Sequence, residues 1–224
     1  MAAGDNGGGG DRPDSPAGPA RVVTVSATYG SSGSLIAPAV ATRLGLPFAD
    51  RLILARSGPA AEFGEHLSEE ERLASRRTSF LDRLAHLTGG LGLPVPSGED
   101  LGDHVKEQVE HSVRELATGS GGVILGRGAM VVLAACPTAF HVRLDGPEDR
   151  RCARAMALEG INEATARDRM AETDRARAKY FSRLYGRDAH DPSLYHLVVD
   201  STVLPVEVSV RLIVDAAQAF WEQR

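Results

Sequence analysis

The sequence predicts an α/β fold in which a parallel β-sheet is flanked by helices and a helical, arginine-rich segment follows. Three observations carry this prediction. Short β-branched runs alternate with longer segments of helical apolar spacing, a loop of glycine and serine joins the first run to the first helix, and one later helix is rich in arginine. Strands that alternate with helices form parallel sheets covered on both faces.

Length and composition fit one globular domain. The chain has 224 residues, of which 42% are hydrophobic and 25% charged, enough to bury a sizeable core. The formal net charge of -5 disfavours a general binder of nucleic acid or of membrane surfaces. No apolar run reaches the roughly 18 residues of a membrane span, and the start lacks the layout of a secretory signal. Cys136 and Cys152 match neither a disulfide framework nor a metal spacing, so a cytoplasmic location is expected.

The first elements are a tail, a strand and a helix. Residues 1–20 are mostly glycine, proline, aspartate and alanine and have no apolar periodicity, which predicts a disordered tail. The run Arg21–Ser26 predicts a buried strand, and the small residues of Ala27–Ser34 predict a loop. Apolar residues then recur at helical spacing until Gly45 ends the helix.

The middle of the chain is predicted to be mostly helical. Ser68 has capping-box spacing and starts a helix with one apolar face that reaches Leu87. Breaker residues make 89–96 a loop. Val105 to Leu116 predicts a second helix, and Val123–Leu125 predicts a buried strand.

The C-terminal half repeats the alternation of strand and helix. Phe140–Leu144 predicts a strand, and Pro147 is placed at the first position of the helix that follows. A long helix is predicted over about 163–185. Leu197–Val199 predicts a strand, and Pro205 opens the last helix.

The loop Gly30-Ser31-Ser32-Gly33-Ser34 is a candidate phosphate site. Its glycines let several backbone N–H groups face one point, and the following helix N-terminus adds positive potential there. The alternative is a tight turn that binds nothing. The loop does not match the motif G-x-x-x-x-G-K-[ST], because no basic residue lies between Arg21 and Arg43.

A second candidate is Gly126-Arg127-Gly128, which follows a predicted strand. Ligands of open parallel sheets bind outside the carboxyl ends of the strands. An arginine there can bind a phosphate with two parallel hydrogen bonds. The alternative is a structural salt bridge to an acidic side chain.

The third candidate is the arginine-rich helix. Arg167, Asp174 and Arg177 fall near one helical stripe. The segment follows a predicted hinge at Glu159-Gly160. Residues from about 160 to 192 are therefore predicted to form a lid that covers a phosphate site. A charge run of this kind is also typical of a solvated helix face.

Taken together, these motifs resemble the nucleoside monophosphate kinases, and among them the cytidylate kinase-like family. The resemblance extends from Val22 to Phe220, apart from a variable middle at about 57–100. Five segments carry it: Val23–Ser26 with Tyr29–Gly33, Leu44–Asp50, Leu125–Ala129, Asp174–Tyr180 and Leu197–Thr202. The resemblance implies a P-loop NTPase fold for 21–224, with a helical acceptor-side region at about 57–118.

The implied reaction is transfer of a phosphoryl group from ATP to CMP or dCMP, with Mg²⁺ as cofactor and no nucleic-acid or membrane partner. By matching position, the loop Gly30 to Ser34 would hold the donor phosphates, and Ser34 is the candidate hydroxyl near the metal. Arg127 would hold the acceptor phosphate, with Asp50 near the acceptor. Asp174 and Arg177 would belong to the lid and, with Arg127, form the catalytic set.

The chain departs from the true cytidylate kinases at three positions. It lacks the P-loop lysine, Gly128 replaces an aspartate that helps to read the nucleotide, and Met170 replaces a lid arginine. Arg167 or Arg169 is expected to substitute for that arginine in substrate binding. Two interpretations stay open: an active nucleotide kinase of low or unusual specificity, and a non-catalytic protein that binds nucleotides on the same fold.

Overall fold

The computed structural model describes residues 20–49 and 98–224. These residues form a five-stranded sheet of order β2-β3-β1-β4-β5, and each neighbouring pair is parallel. The strands are β1 (Val22–Ala27), β2 (Phe48–Ala49), β3 (Gly122–Leu125), β4 (Ala139–Asp145) and β5 (Leu197–Asp200). The predicted α/β fold with a parallel sheet is confirmed. The helix predicted from Ser68, the loop 89–96 and all but Ala20 of the predicted tail lie outside the described residues.

Helices follow the strands as the sequence predicts. They are α1 (Gly33–Leu44), α2 (Gly98–Thr118), α3 (Ala129–Val132), α4 (Glu148–Glu159), α5 (Glu163–Tyr185) and α6 (Val206–Glu222), with a 3₁₀ turn at Pro192–Leu194. Among the described residues, no helix is long and apolar enough to cross a membrane.

Helix ends follow local chemistry. Gly45 ends α1 in the left-handed conformation (φ 65°), and the N–H of Leu46 donates to the carbonyl of Ala41. The side chain of Asn162 accepts from the N–H of Thr165 and caps α5. Pro147 was predicted as the first residue of α4, but it is the cap residue immediately before the helix. An N–H at this position has no acceptor within the helix, so a proline here costs no helical hydrogen bond.

The core lies on both faces of the sheet. On one face, Val23 and Val25 pack with Ile36 of α1 and Val210 of α6. On the other face, α2 and α3 pack against the β3 side of the sheet, where Val113 and Ile124 are fully buried. Burial on both faces explains why β3 and β5 are continuous apolar runs, whereas β4 alternates between apolar and polar residues.

One face of the sheet is polar where β1 and β4 lie side by side. Thr24, Ser26, His141 and Arg143 are each at most 5% exposed. The Oγ1 of Thr24 lies 2.8 Å from Nδ1 of His141, and the Oγ of Ser26 lies 3.1 Å from the hydroxyl of Tyr195. Arg143 in turn bonds Asp145, so each of these buried polar groups has a hydrogen-bond partner, as burial requires. The polar strip leads to the carboxyl ends of β1 and β4.

Candidate functional site

The loop between β1 and α1 presents free backbone donors. Gly30 and Ser32 both have left-handed backbone, with φ 78° and 59°. The N–H groups of Leu35 and Ile36 donate to the carbonyl of Ser32, which leaves the N–H groups of Gly33 and Ser34 without an intrahelical acceptor. No side chain caps the helix. This geometry suits an anion such as phosphate.

The loop is held in shape by its neighbours. The hydroxyl of Ser31 donates to the carbonyl of Thr28 (2.7 Å), and the hydroxyl of Ser201 donates to the carbonyl of Ser31 (2.7 Å). Gly30 packs directly on α4: a Cβ at this position would lie 2.2 Å from the backbone oxygen of Arg151. The concave loop therefore depends on a residue without a side chain at position 30.

The Gly126-Arg127-Gly128 turn lies beside the loop. The N–H of Gly126 donates to the carbonyl of Val25 (2.9 Å), so the turn leaves the sheet next to the end of β1. All three turn residues are left-handed, with φ 79°, 63° and 64°. Among the described residues, Arg127 and Ser32 are the two non-glycine residues with positive φ. Both were predicted as site residues, and the fold brings them to adjacent strand ends.

A buried network of charges occupies the end of β4. Arg143 donates from Nη2 to Oδ2 of Asp145 (2.6 Å), and Thr28 donates to the other carboxylate oxygen (2.8 Å). Arg151 of α4 donates to the carbonyl of Tyr29 (3.1 Å). Burial raises the pKa of Asp145, but the hydrogen bonds from Arg143, Gly146 and Thr28 outweigh it, so the net pKa is lowered.

The sequence analysis missed this network. A signal for it was present, because Arg143 and Asp145 stand two residues apart and therefore on one face of a strand that is otherwise largely apolar. Charged residues are almost never buried without a partner. An arginine and an aspartate at this spacing in a buried strand predict an ion pair at the strand end.

Asp174 and Arg177 of α5 reach the same place. Asp174 accepts from Nη1 of Arg151 (2.8 Å). Arg177 donates to the Oγ of Ser26 and to the carbonyl of Ala27, at the end of β1. Burial lowers the pKa of the Arg177 guanidinium and the nearby charge of Arg143 adds to this, while the charges of Asp174 and Asp145 offset only part of it. The structure thus brings the two predicted lid residues to the loop.

The C-terminal end of α5 covers the Gly126-Arg127-Gly128 turn. A Cβ at Gly128 would lie 2.6 Å from a ring carbon of Tyr185. Burial raises the pKa of the Tyr185 hydroxyl above its usual range. Lys106 of α2 lies over the same ring, with 5.5 Å between Nζ and the ring centroid. The ring thus takes the space that an aspartate at position 128 would need.

Arg167 is not brought to this group, whereas Arg169 reaches the side chain of Tyr29 at the edge of the loop. Arg167 bonds Asp149 (3.0 Å) and Glu163 (2.9 Å) and is well exposed. Arg169 bonds Glu159 (2.6 Å). The ion pairs of Arg167 are typical of a solvated helix face, whereas the pair of Arg169 with Glu159 is partly buried beside Tyr29. A role in substrate binding would require them to open.

Three further positions complete the comparison with the sequence. Met170 is 5% exposed and packs with Cys152 and Ala155, so this position is part of the contact between α4 and α5. Ser34 is exposed in the first turn of α1. Asp50, predicted near the acceptor, lies outside the described residues.

The residues present fit a phosphate group that arrives with its own cation. In residues 20–49 and 98–224, no three His, Cys, Asp or Glu side chains form a cluster that could hold a metal by themselves. Mg²⁺ bound with a nucleotide needs only one or two protein ligands beside the phosphates. The hydroxyl of Ser34 is open to solvent, and Oδ1 of Asp174 is buried without a hydrogen-bond donor among the described residues.

Comparison with known sequences gives a family. A sequence model described as the cytidylate kinase-like family matches residues 22–203. The chain is 31% identical over 105 residues to a cytidylate kinase of Methanopyrus kandleri, a match covering 42% of this chain and 53% of that enzyme. It is 25% identical over 167 residues to a cytidylate kinase of Aeropyrum pernix, covering 72% and 96%. A uronate isomerase of Corynebacterium glutamicum is 33% identical over 103 residues, covering 44% of this chain and 19% of that protein. The chain therefore spans about a fifth of the isomerase and about half of the Methanopyrus enzyme.

Comparison with solved structures gives the fold. An uncharacterized protein from Eubacterium ventriosum is similar with a TM-score of 0.64 and 17% identity, over 89% of this chain and 99% of that chain. A gluconokinase from Sinorhizobium meliloti is similar with a TM-score of 0.52 and 15% identity, over 91% and 94%. The shared architecture is a parallel sheet flanked by helices.

Proposed function

Because the chain belongs to the cytidylate kinase-like family, we propose that it transfers a phosphoryl group from ATP to a nucleoside monophosphate, with CMP or dCMP as the favoured acceptor. The kinase fold and the free N–H groups at the start of α1 support this proposal. Phosphoryl transfer depends mainly on positioning and on stabilising charge. The site offers backbone N–H groups that can position a phosphate and arginine side chains that can stabilise its charge.

One observation carries the proposal: Ser32 and Arg127 are held in left-handed backbone at the ends of the adjacent strands β1 and β3. Each such residue costs about 1–2 kcal/mol. Strain of this kind persists where the surrounding structure imposes it, and it clusters at active sites and ligand clamps. Two strained residues that follow neighbouring strands, one in a phosphate-type loop and one an arginine, support a site for two phosphates.

The proposed roles follow from position. The loop Gly30 to Ser34 holds the donor phosphates through backbone N–H groups and through the hydroxyls of Ser32 and Ser34. The hydroxyl of Ser31 already donates to the carbonyl of Thr28 and keeps the loop in shape. Arg127 holds the acceptor phosphate, because its planar fork can make two parallel hydrogen bonds to one phosphate. Asp50 is proposed to lie near the acceptor.

Asp174 and Arg177 complete the proposed catalytic set from α5. Arg177 and Arg127 place positive charge where negative charge develops on the transferred group. Mg²⁺ bound with ATP supplies further neutralisation of the phosphate oxygens, and Ser34 and Asp174 are the side chains proposed to hold it. Arg167 and Arg169 are proposed to join substrate binding only when their ion pairs open.

The preference for cytosine rests on the family alone. The aspartate that would follow the Gly-Arg pair is replaced by Gly128, and the Tyr185 ring fills the space around it. The base must therefore be read by other groups. An acceptor range broader than CMP and dCMP is consistent with this change.

A second candidate function is nucleotide binding without turnover. It is favoured by the absence of a lysine from the loop, since losing one charge-assisted donor of this kind commonly costs about 10²–10³ in rate. On this alternative, closure of α5 over the nucleotide would itself be the signal.

The test is release of ADP from Mg-ATP with CMP, dCMP, UMP, AMP or GMP as acceptor, beside thermal denaturation with each nucleotide. ADP released without an acceptor is subtracted as the control. The proposal expects acceptor-dependent release, with the highest kcat/KM for CMP or dCMP. Thermal stabilisation by ATP without release for any acceptor would support the second candidate. No stabilisation by any nucleotide would refute both.

A further inference from the structure

The loop has no room for a lysine at the start of α1. The motif G-x-x-x-x-G-K-[ST] carries its lysine there, and α1 starts at Gly33. A Cβ at Gly33 would lie 2.3 Å from the Cβ of Ala27. Because the Cβ of Ala27 is fixed to the backbone at the end of β1, it cannot turn aside. A lysine is therefore excluded by shape, and any charge at this loop must come from elsewhere.

Arg177 brings a charge to this same point. Its guanidinium donates to the carbonyl of Ala27 and to the hydroxyl of Ser26. It reaches there from α5, 150 residues further along the chain than Ala27. Ala27 therefore has two effects: its Cβ excludes a side chain at position 33, and its carbonyl accepts a hydrogen bond from Arg177.

The charge of Arg177 has no carboxylate of its own among the described residues. Arg143 is paired with Asp145, and Arg151 is paired with Asp174. Three guanidinium groups therefore share two carboxylates, and both acceptors of Arg177 are uncharged oxygens. A desolvated cation is stabilised when an anion comes within reach. A phosphate in the adjacent loop would provide that anion.

We propose that Arg177 supplies, from α5, the positive charge that a lysine supplies in other phosphate loops, and that Ala27 is the residue that makes this exchange obligatory. The inference rests on the proposed function and deepens it. Its consequence is specific: the triphosphate site is complete only when α5 is docked, so that binding of donor phosphates and closure of α5 are one event.

The first experiment measures binding of Mg-ATP and of inorganic tripolyphosphate by calorimetry. Arg177→Ala should weaken both by about 10- to 100-fold, the loss of one charge-assisted hydrogen bond, and Arg177→Lys should lie between it and the unmodified chain. Arg175→Ala is the matched control, because it removes the same charge from an exposed position on the same helix, and should change affinity less than twofold. Equal or tighter binding by Arg177→Ala would overturn the inference, since Arg177 would then only cover the loop.

The second experiment restores a lysine. In the Arg177→Ala background, Gly33→Lys alone should not recover affinity, whereas Ala27→Gly with Gly33→Lys should recover at least tenfold, because the first change opens the space that the lysine needs. Recovery by Gly33→Lys alone would contradict the steric argument. If the combined variant does not fold by circular dichroism, the comparison of Arg177→Lys with Arg177→Ala decides.

The two proposals fail in different ways. If the unmodified chain binds tripolyphosphate but releases no ADP with any acceptor, the transferase function fails while the binding data still test Arg177. If turnover is present, Arg177→Ala should lower kcat by about 10²–10³. If the unmodified chain binds neither Mg-ATP nor tripolyphosphate, both proposals are overturned.

Discussion

Replacing Gly30 by alanine should disrupt the phosphate loop by a mechanism that can be separated into two parts. The first part is conformational, because φ at Gly30 is 78° and an L-residue in this region costs about 1–2 kcal/mol. The second part is contact. The new Cβ would lie 2.2 Å from the backbone oxygen of Arg151 and 2.8 Å from its carbonyl carbon, so the loop must move away from α4. Overpacking of this kind costs about 1–3 kcal/mol.

Gly160→Ala is a matched control for the first part. Gly160 has φ 64°, and nothing lies within 4 Å of a Cβ built there. The difference between the two variants therefore isolates the contact with α4. We expect Gly160→Ala to lower the free energy of unfolding by about 1–2 kcal/mol, and Gly30→Ala to lower it by about 1–3 kcal/mol more.

The assay is urea denaturation of both variants, followed by thermal denaturation with Mg-ATP. For a chain of this size, about 1 kcal/mol shifts Tm by about 2–4 °C. Stabilisation by Mg-ATP should be retained in Gly160→Ala and lost in Gly30→Ala, because the N–H donors of the loop no longer converge. Equal destabilisation of the two variants, with nucleotide binding intact in both, would refute the reasoning and leave the loop as a turn only.

Three further predictions concern the acceptor site, α5 and the core. Arg127→Ala should weaken binding of nucleoside monophosphates while leaving ATP binding nearly intact, and unchanged calorimetric affinity would remove Arg127 from the site. Arg127→Gly should lose the same affinity but be about 1 kcal/mol more stable than Arg127→Ala, because glycine relieves the left-handed strain. Hydrogen exchange over 163–192 should slow when ATP and a monophosphate are both bound, and equal protection with and without them would contradict a lid. Burial, and then the neighbouring His196, lower the pKa of His141 to about 4, so the unfolded chain binds a proton near pH 6.5 that the folded chain does not. The free energy of unfolding should therefore fall by up to about 3 kcal/mol as pH drops from 6.5 to 4, and His141→Gln should flatten that slope in urea denaturation at each pH.

The candidate site was predictable where it depends on short segments. The loop Gly30 to Ser34 and the turn around Arg127 are local motifs, and their position follows from the rule that ligands bind at the carboxyl ends of parallel strands. The Arg143–Asp145 pair was within reach of the same reasoning. Its partners Arg151 and His190 were not, because they belong to other elements that only the packing of α4 and of the segment after α5 brings near.

The order of strands and helices follows from local sequence signals. Apolar spacing, proline before a helix and glycine after it depend on neighbours a few residues away, so α1, α5 and β4 lie where the sequence predicts. The partners of each arginine depend also on residues that are distant in the sequence. Arg167 and Arg177 have the same charge on the same helix. Glu163, one turn earlier, pairs with Arg167 through local sequence, but only packing brings Asp149 to Arg167 and the end of β1 to Arg177. A guanidinium is neutralised by whatever lies within a few ångströms, and that set is decided by how helices dock rather than by the order of residues.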